Sequence, residues 1–242
     1  MSSRPKISVC IGSYQGERYI ALQLSSILAQ LSTEDEVIIV DDCSSDKTCS
    51  EVSALLDPRV LLIQNAENRG ILRTFETAIS KATGDIVFLS DQDDLWLPGK
   101  VNLMLDTFVR DPDLMLLASD AILINEHGNE IGRSYYAQRG KFRSGFWPNL
   151  LKCKFLGCTM AFRSKLLVNA LPFPHDIRVH HDIWLGCVNA LIGGKTAYIE
   201  NPLVAYRRHS TNVTGRVRFS SNKRFQMRLQ LILALLALHK RI

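Results

Sequence analysis

The chain is predicted to fold as an α/β protein on a doubly wound, mostly parallel sheet, on three observations. Short, nearly unbroken apolar runs at 7–11, 36–40, 60–64 and 86–90 suit strands buried on both faces. The segments between them carry apolar residues at helical spacing, so strand and helix alternate over the first hundred residues. Polar clusters follow three of the runs: Gly12-Ser13-Tyr14-Gln15-Gly16, Asp41-Asp42 and Asp91-Gln92-Asp93-Asp94. They fall at the carboxyl ends of the strands, where open α/β sheets bind ligands.

In order, the strand at 7–11 stops at a turn bracketed by Gly12 and Gly16. Segment 18–31 places Ile20, Leu24, Ile27, Leu28 and Leu31 at helical spacing and forms an amphipathic crossover, right-handed by the general rule. The second strand, 36–40, runs into Asp41-Asp42-Cys43-Ser44-Ser45-Asp46 and a helix over 48–56. The third, 60–64, precedes Asn65-Ala66-Glu67-Asn68-Arg69-Gly70 and a helix reaching residue 82. Thr83-Gly84-Asp85 turns into the fourth strand and its acids, and Leu95-Trp96-Leu97-Pro98 closes that loop with an aromatic anchor and a fixed φ. Beyond Gly99 the pattern loosens: a helix at 101–109, a strand at 114–119, a hairpin over 120–132 turning at 125–129, strands at 156–163 and 196–200, and helices at 164–170 and 181–191. Residues 133–150 read as a basic, aromatic loop.

With 242 residues and 46% hydrophobic content the chain can bury a sizeable core. Net charge is +5, but nine Lys and Arg follow Glu200 and no acid does, which leaves residues 1–200 at −4. A basic tail on a mildly acidic body points to an anionic surface rather than to a body that grips nucleic acid. Within the tail Phe225, Leu229, Ile232, Leu233 and Leu236 recur at helical spacing beside Arg224, Arg228 and Lys240, the pattern of a helix that lies in a membrane interface or packs on the body or on a second subunit. Its apolar run, 231–238, is too short to span a bilayer. The six cysteines show no C-x-x-C and no regular spacing, so reduced thiols in a cytoplasmic protein are expected. The first residues lead into a strand without a long apolar run, and no signal peptide is expected.

The acids carry the chemistry. Asp91, Asp93 and Asp94 crowd one strand end, and a hard cation such as Mg²⁺ or Mn²⁺ relieves their repulsion while taking further ligands from substrate phosphates. The competing reading, a solvated acidic turn, is opposed by the buried strand before the acids and by the Trp96–Pro98 anchor after them. Gly-x-Gly-x-x-Gly and a Walker loop are absent, so a bound nucleotide is to be held by side chains and metal.

Taken together, Ser8-Val9-Cys10-Ile11-Gly12-Ser13-Tyr14-Gln15-Gly16, Val40-Asp41-Asp42-Cys43-Ser44, Glu67-Asn68-Arg69-Gly70, Asp91-Gln92-Asp93-Asp94-Leu95-Trp96 and His181-Asp182 resemble a family 2 glycosyltransferase of the GT-A fold, over about residues 6–215. Gly157-Cys158-Thr159-Met160 and Tyr206-Arg207-Arg208-His209-Ser210-Thr211-Asn212 are similar to bacterial rhamnosyltransferases. The resemblance implies one domain over 1–215, with a nucleotide-sugar half to about residue 100, an acceptor half to 215, and a helical tail over 216–242. It implies a donor pocket of Ser13, Tyr14, Asp41, Asp42, Arg69, Asp91 and Gln92, a metal (Mn²⁺ or Mg²⁺) on Asp93 and His209, and Asp182 as catalytic base. Bland alternatives stand beside these roles: Asp41, Asp42 or Asp182 capping a helix, Tyr14 packing at a strand end, Arg69 or His209 merely solvated. His181 replaces the Glu usual before the base, and the Gln-x-x-Arg-Trp motif of processive synthases is missing.

The implied activity is inverting transfer of one sugar, L-rhamnose from dTDP-rhamnose ahead of UDP-hexoses, to a saccharide acceptor, lipid-linked, in cell-surface polysaccharide assembly. Peripheral contact with the inner face of the cell membrane through the tail, and no nucleic-acid partner, complete the expectation. The rivals from other classes are a phosphoacceptor signalling domain and a non-catalytic saccharide-binding module.

Overall fold

The β-branched and apolar runs of the first half form the strands expected of them, because each is covered on both faces. In the computed structural model, which describes residues 4–140, 142–152, 155–175, 177, 179–209 and 220–241, they are β1 (Ile7–Ser13), β2 (Glu36–Asp41), β3 (Val60–Gln64) and β4 (Ile86–Asp91). All pair in parallel, in the order β3-β2-β1-β4. Their crossovers are α1 (Ile20–Leu28), α2 (Thr48–Ser53) and α3 (Ile71–Ser80). The register sets Gly12 opposite Asp91 and Ser13 opposite Asp41, so three strand ends finish level.

Side chains alternate across this sheet with period two. Ile7, Val9 and Ile11 pack with Ile20, Leu24 and Ile27 of α1 and with Met104 and Phe108 of α4 (Lys100–Arg110). Cys10, Val87 and Leu89 face the other way, onto Phe75 and Ile79 of α3 and Trp184 and Val188 of α8 (His181–Leu191). Burying each large side chain contributes about 1.5–3 kcal/mol, which makes these two layers the main source of stability.

The second half extends the sheet. Among the described residues the strands make one nine-stranded sheet, β3-β2-β1-β4-β8-β6-β9-β5, in which β7 (Glu130–Gly132) also pairs with β6 (Leu114–Asn125). The strand β8 (Met160–Arg163) runs antiparallel to both β4 and β6, so the sheet is mixed. The strand β9 (Lys195–Arg208) is far longer than the expected 196–200. Pro202 interrupts its pattern, and β9 itself absorbs the interruption: opposite consecutive Ser119, Asp120 and Ala121 stand Ile199, Pro202 and Val204, so Glu200, Asn201 and Leu203 are the extra residues of the register shifts. A two-residue strand, β5 (Leu95–Trp96), pairs with β9 and was not foreseen, being too short to carry a period.

Three other readings are corrected. Residues 133–150, read as a loop, contain α5 (Tyr135–Arg139) and the start of α6 (Phe146–Lys152). The entry to α5 is set from a distance, since the Asp120 carboxylate accepts from the Ser134 hydroxyl and from the Tyr135 and Tyr136 N–H groups. The strand expected from 156 begins only at Met160, because Gly157–Thr159 form a 3₁₀ turn. The helix expected over 164–170 is a 3₁₀ turn, Ser164–Leu166, followed by α7 (Leu167–Ala170).

The tail is helical as α9 (Ser221–His239), capped by Ser220, whose hydroxyl accepts from the Lys223 N–H at 3.3 Å. Ser210, Thr211 and Asn212 of the quoted motif, the expected domain boundary near 215 and Cys153 lie outside the described residues. Cys10, Cys43, Cys49, Cys158 and Cys187 are free thiols. Among the described residues no helix is long and apolar enough to cross a membrane.

Candidate active site

The level ends of β1, β2 and β4 form the floor of the site, and the acids there are tied into the scaffold by short polar contacts. Buried Asp41 accepts from the Ser13 hydroxyl at 2.9 Å, the Ser44 N–H at 2.8 Å and the Ser44 hydroxyl at 2.6 Å. Asp42, also buried, accepts from the Asn65 amide and from the Arg69 and Gly70 N–H groups, each at 2.8 Å. The pair therefore shapes the two loops at the end of β2, and neither caps α2 by a side-chain bond. Gly70, at φ +80°, adopts a conformation other residues avoid, and it starts α3 from that loop. Arg69 joins through its N–H, while its side chain is exposed.

Tyr14 stands 49% exposed above this floor. Its backbone is held twice by Gln92, whose Oε1 accepts from the Tyr14 N–H at 2.8 Å and whose Nε2 donates to the Tyr14 carbonyl at 2.9 Å. Gln92 thus staples the loop after β1 to the loop after β4. A β-carbon at Gly16 would strike the Gln92 amide and push it from its place against the Tyr14 backbone.

The acid rim is built from β4, β5 and the far end of β9. Asp94 is buried, and one oxygen accepts from the Arg207 N–H at 2.8 Å. Its other oxygen has no N–H or O–H donor and lies beside the Cys158 thiol. The Arg207 guanidinium donates to the Asp93 carbonyl at 2.7 Å and to the Asn125 carbonyl at 3.2 Å, and lies over the Tyr19 ring at 4.6 Å. His209 Nε2 is 2.7 Å from Asp93 Oδ2, which brings the two expected metal ligands into contact. Asp91, Asp94 and Cys158 form a second set, with ligand atoms all within 4.8 Å of one another.

Electrostatics link this rim to Asp182 of α8. Asp91 is pushed up to about 7, first by burial, then by the charge of Asp93, then by that of Asp182. Burial, with Asp93 and Asp91 after it, drives Asp94 well above the usual carboxylate range. Asp182, in the first turn of α8, is likewise raised by burial, against an opposing pull from His180. Asp91 therefore lies within electrostatic reach of both Asp93 and Asp182. Acids gathered this closely, presenting oxygens beside one imidazole, fit a hard divalent ion such as Mn²⁺ or Mg²⁺.

Asp182 is partly exposed, and its carboxylate accepts from the Ile183 N–H at 2.7 Å. Its neighbour His181 is buried, stacked on Phe75 with ring centroids 3.7 Å apart. Burial pulls the imidazole down to about 3, so the residue standing where the family has Glu is neutral. Neither ring nitrogen has a hydrogen-bond partner. Gly157 makes room for it, since a β-carbon there would come 2.8 Å from His181 Nε2.

Three participants escaped the sequence reading. Lys100 is fully buried, donates to the Cys158 carbonyl at 3.0 Å, lies 4.9 Å from the Trp96 ring centroid and is pulled down to about 8 by burial. Nothing in the local pattern of α4 marks it. Cys158 and Arg207 sit in motifs that were recognised, Gly157-Cys158-Thr159-Met160 and Tyr206-Arg207-Arg208-His209, but only their partners reveal what they touch.

A mixed sheet with this strand order and an acid rim at the ends of its parallel strands is the architecture of the GT-A glycosyltransferases. Residues 8–168 match the model of glycosyl transferase family 2, and the chain belongs to that family. Among solved structures, TarS residues 1–349 from S. aureus in complex with UDP-GlcNAc superposes with a TM-score of 0.73 at 21% identity, over 95% of this chain and 66% of that one. The mannosyltransferase PcManGT from Pyrobaculum calidifontis, in complex with GDP-Man and Mn²⁺, gives 0.63 at 23% identity, over 100% and 66%. In sequence the chain is 26% identical over 179 residues to the Escherichia coli UDP-Glc:α-D-GlcNAc-diphosphoundecaprenol β-1,3-glucosyltransferase WfgD, over 74% of this chain and 68% of WfgD. The chain thus spans about two thirds of the length of each.

Proposed function

We propose that the chain is an inverting glycosyltransferase that moves one sugar from a nucleoside-diphosphate donor to a saccharide acceptor in cell-surface polysaccharide assembly. The observation that carries this is the contact of His209 Nε2 with Asp93 Oδ2, 2.7 Å apart just beyond the carboxyl end of β4, in a chain whose residues 8–168 match glycosyl transferase family 2. Direct displacement at an anomeric carbon needs a carboxylate within reach of the hydroxyl that attacks the diphosphate-bound sugar, and Asp182 lies within electrostatic reach of the rim.

In this reading residues 1–100 are the donor half and residues 101–215 the acceptor half of one domain. Tyr14 offers its ring to the base, and Ser13, Asp41 and Asp42 shape the pocket beneath it, with Arg69 at its edge. Gln92 holds Tyr14 in place, and Asp91 meets the ribose. Asp93 and His209 would hold Mn²⁺ or Mg²⁺, with Asp91, Asp94 and Cys158 beside them. The ion, when bound, supplies positive charge where the leaving diphosphate gains negative charge. Asp182 accepts the proton of the attacking hydroxyl, and its burial-raised basicity suits that task. His181, uncharged and stacked on Phe75, fixes the start of α8 without adding a second negative charge beside the base.

Of the two donor classes, the named partners of the relatives favour UDP-hexoses over dTDP-rhamnose: UDP-Glc for WfgD and UDP-GlcNAc for TarS. The PcManGT complex with Mn²⁺ supports the choice of ion. WfgD is named for an acceptor carried on a polyprenyl diphosphate, which supports a lipid-linked acceptor and a cytoplasmic, membrane-apposed protein. A phosphoacceptor receiver is set aside, because those sheets are wholly parallel in another order, whereas β8 here is antiparallel. The test is diphosphate release from a panel of UDP- and dTDP-sugars with Mn²⁺ and acceptor extracts. Turnover with one donor is expected, abolished by chelation; no turnover with any pair contradicts the reading, and metal-independent glycan binding alone would favour a saccharide-binding module.

A further inference from the structure

The helix α9 carries two apolar faces, and only one of them is used by the fold. Leu231 and Leu235, four residues apart, are buried at 1% and 2% exposure in the core cluster that contains α8. Phe225, Leu229, Leu233 and Leu236 recur at spacings of four, four and three, which places them on one stripe at 3.6 residues per turn. That stripe is 69%, 46%, 57% and 53% exposed, turned away from the body and about 17 Å long at 1.5 Å per residue. Scattered exposed leucines need no explanation, but a contiguous apolar stripe along a surface helix marks a surface that something covers.

The charges of the helix say what. Lys223, Arg224, Arg228, Lys240 and Arg241 are exposed, and no acid follows Glu200. Lys223 and Arg224 stand in the first turn, where the helix dipole favours acids, and they add to the positive charge that the helix presents. A second copy of the chain would set these positive charges against each other, whereas an anionic surface complements them. The helix α6, packed beside α9, exposes Trp147 at 67%, a residue type enriched at membrane interfaces.

We propose that α9 docks the protein on an anionic lipid bilayer, with the Phe225-Leu229-Leu233-Leu236 stripe in the interface and the basic residues at the headgroups. Its purpose rests on the transferase reading: α9 packs on α8, whose first turn holds Asp182, so docking would bring the bilayer to the acceptor half.

The full chain should sediment with vesicles of phosphatidylcholine plus phosphatidylglycerol, but not with phosphatidylcholine alone, and raised salt should weaken the association. Leu229→Glu with Leu233→Glu should lose vesicle binding by on the order of tenfold or more, since both side chains leave the interface. The same variant should keep its melting temperature and its turnover of a soluble acceptor. Lys240→Glu with Arg241→Glu should weaken binding to anionic vesicles. The proposal is overturned if the wild-type chain ignores anionic vesicles, if the leucine variant binds them as well as wild type, or if light scattering shows a dimer that the leucine variant dissociates while vesicles have no effect. Vesicle binding is read without turnover, so a protein that docks yet transfers no sugar would refute the transferase reading and leave the docking intact.

Discussion

The floor of the cleft and its acid rim use the same residue type in opposite ways. On the floor, Asp41 and Asp42 each accept three hydrogen bonds from the loops around them, so their charge is met by the protein. On the rim, Asp91 and Asp94 face other acids, and burial raises both carboxyls. A carboxylate saturated by N–H donors shapes a pocket, whereas carboxylates gathered without enough donors create demand for a cation. In the proposed reading the contrast separates acids that shape the pocket from acids that hold the ion.

The largest effect expected from breaking this contrast is at the facing wall. Asp182→Asn should lower the rate of transfer by about 10²–10⁴-fold, the usual worth of a positioned base, while nucleoside-diphosphate binding stays within error. Steady-state kinetics beside calorimetry would check this; normal kcat would remove Asp182 from the role.

Floor acids should fail differently. Asp42→Ala leaves the Arg69 and Gly70 N–H groups and the Asn65 amide without their acceptor, and should cost about 2–5 kcal/mol of stability, below three times the roughly 1–3 kcal/mol of a fully buried donor because these bonds are only part-buried. Denaturant unfolding measures it, and a loss below the error of the method would mean that the loop does not depend on Asp42.

A smaller effect is expected above the floor. Tyr14→Ala should weaken nucleoside-diphosphate binding by about tenfold, as base–aromatic stacking is worth about 1–3 kcal/mol, while Tyr14→Phe should bind as wild type. Gln92→Ala should weaken binding in the same direction by freeing the Tyr14 backbone. Equal binding by all three would show that the exposed ring meets no base.

The effect at His181 is a slope, read only in acid. His181 titrates near 6.5 when unfolded and at about 3 when buried, so between these values the unfolded chain binds the extra proton. The stability that comes from keeping the imidazole neutral is complete above 6.5 and is lost as pH falls toward 3. His181→Gln should flatten the acid limb of a plot of unfolding free energy against pH, and an unchanged limb would place that acid sensitivity elsewhere.

The parallel half of the fold was legible because each strand is buried on both faces and announces itself as a short apolar run. The second half was less so. Asp120, which starts α5, is separated from Ser134 by fourteen positions, and β9 crosses Pro202 by carrying extra residues opposite Ser119–Ala121 of β6. The site divides along the same line. Ser13, Asp41, Asp42, Asp91, Gln92 and Asp93 fall in motifs at strand ends and could be named from their order. That Gln92 holds Tyr14, that Asp42 holds the loop of Arg69, and that Lys100 reaches Cys158 are contacts between residues far apart in the chain. No spacing encodes them.

The central claim is that Asp93 and Asp182 flank one cleft with different duties, and thermal stabilisation by UDP plus Mn²⁺ tests it most directly. Wild type and Asp182→Asn should be stabilised alike, Asp93→Asn should lose the Mn²⁺-dependent part, and both variants should lose transfer. If Asp93→Asn kept the full Mn²⁺-dependent shift, or if Asp182→Asn turned over normally, the assignment of cation and base to the two walls would be wrong.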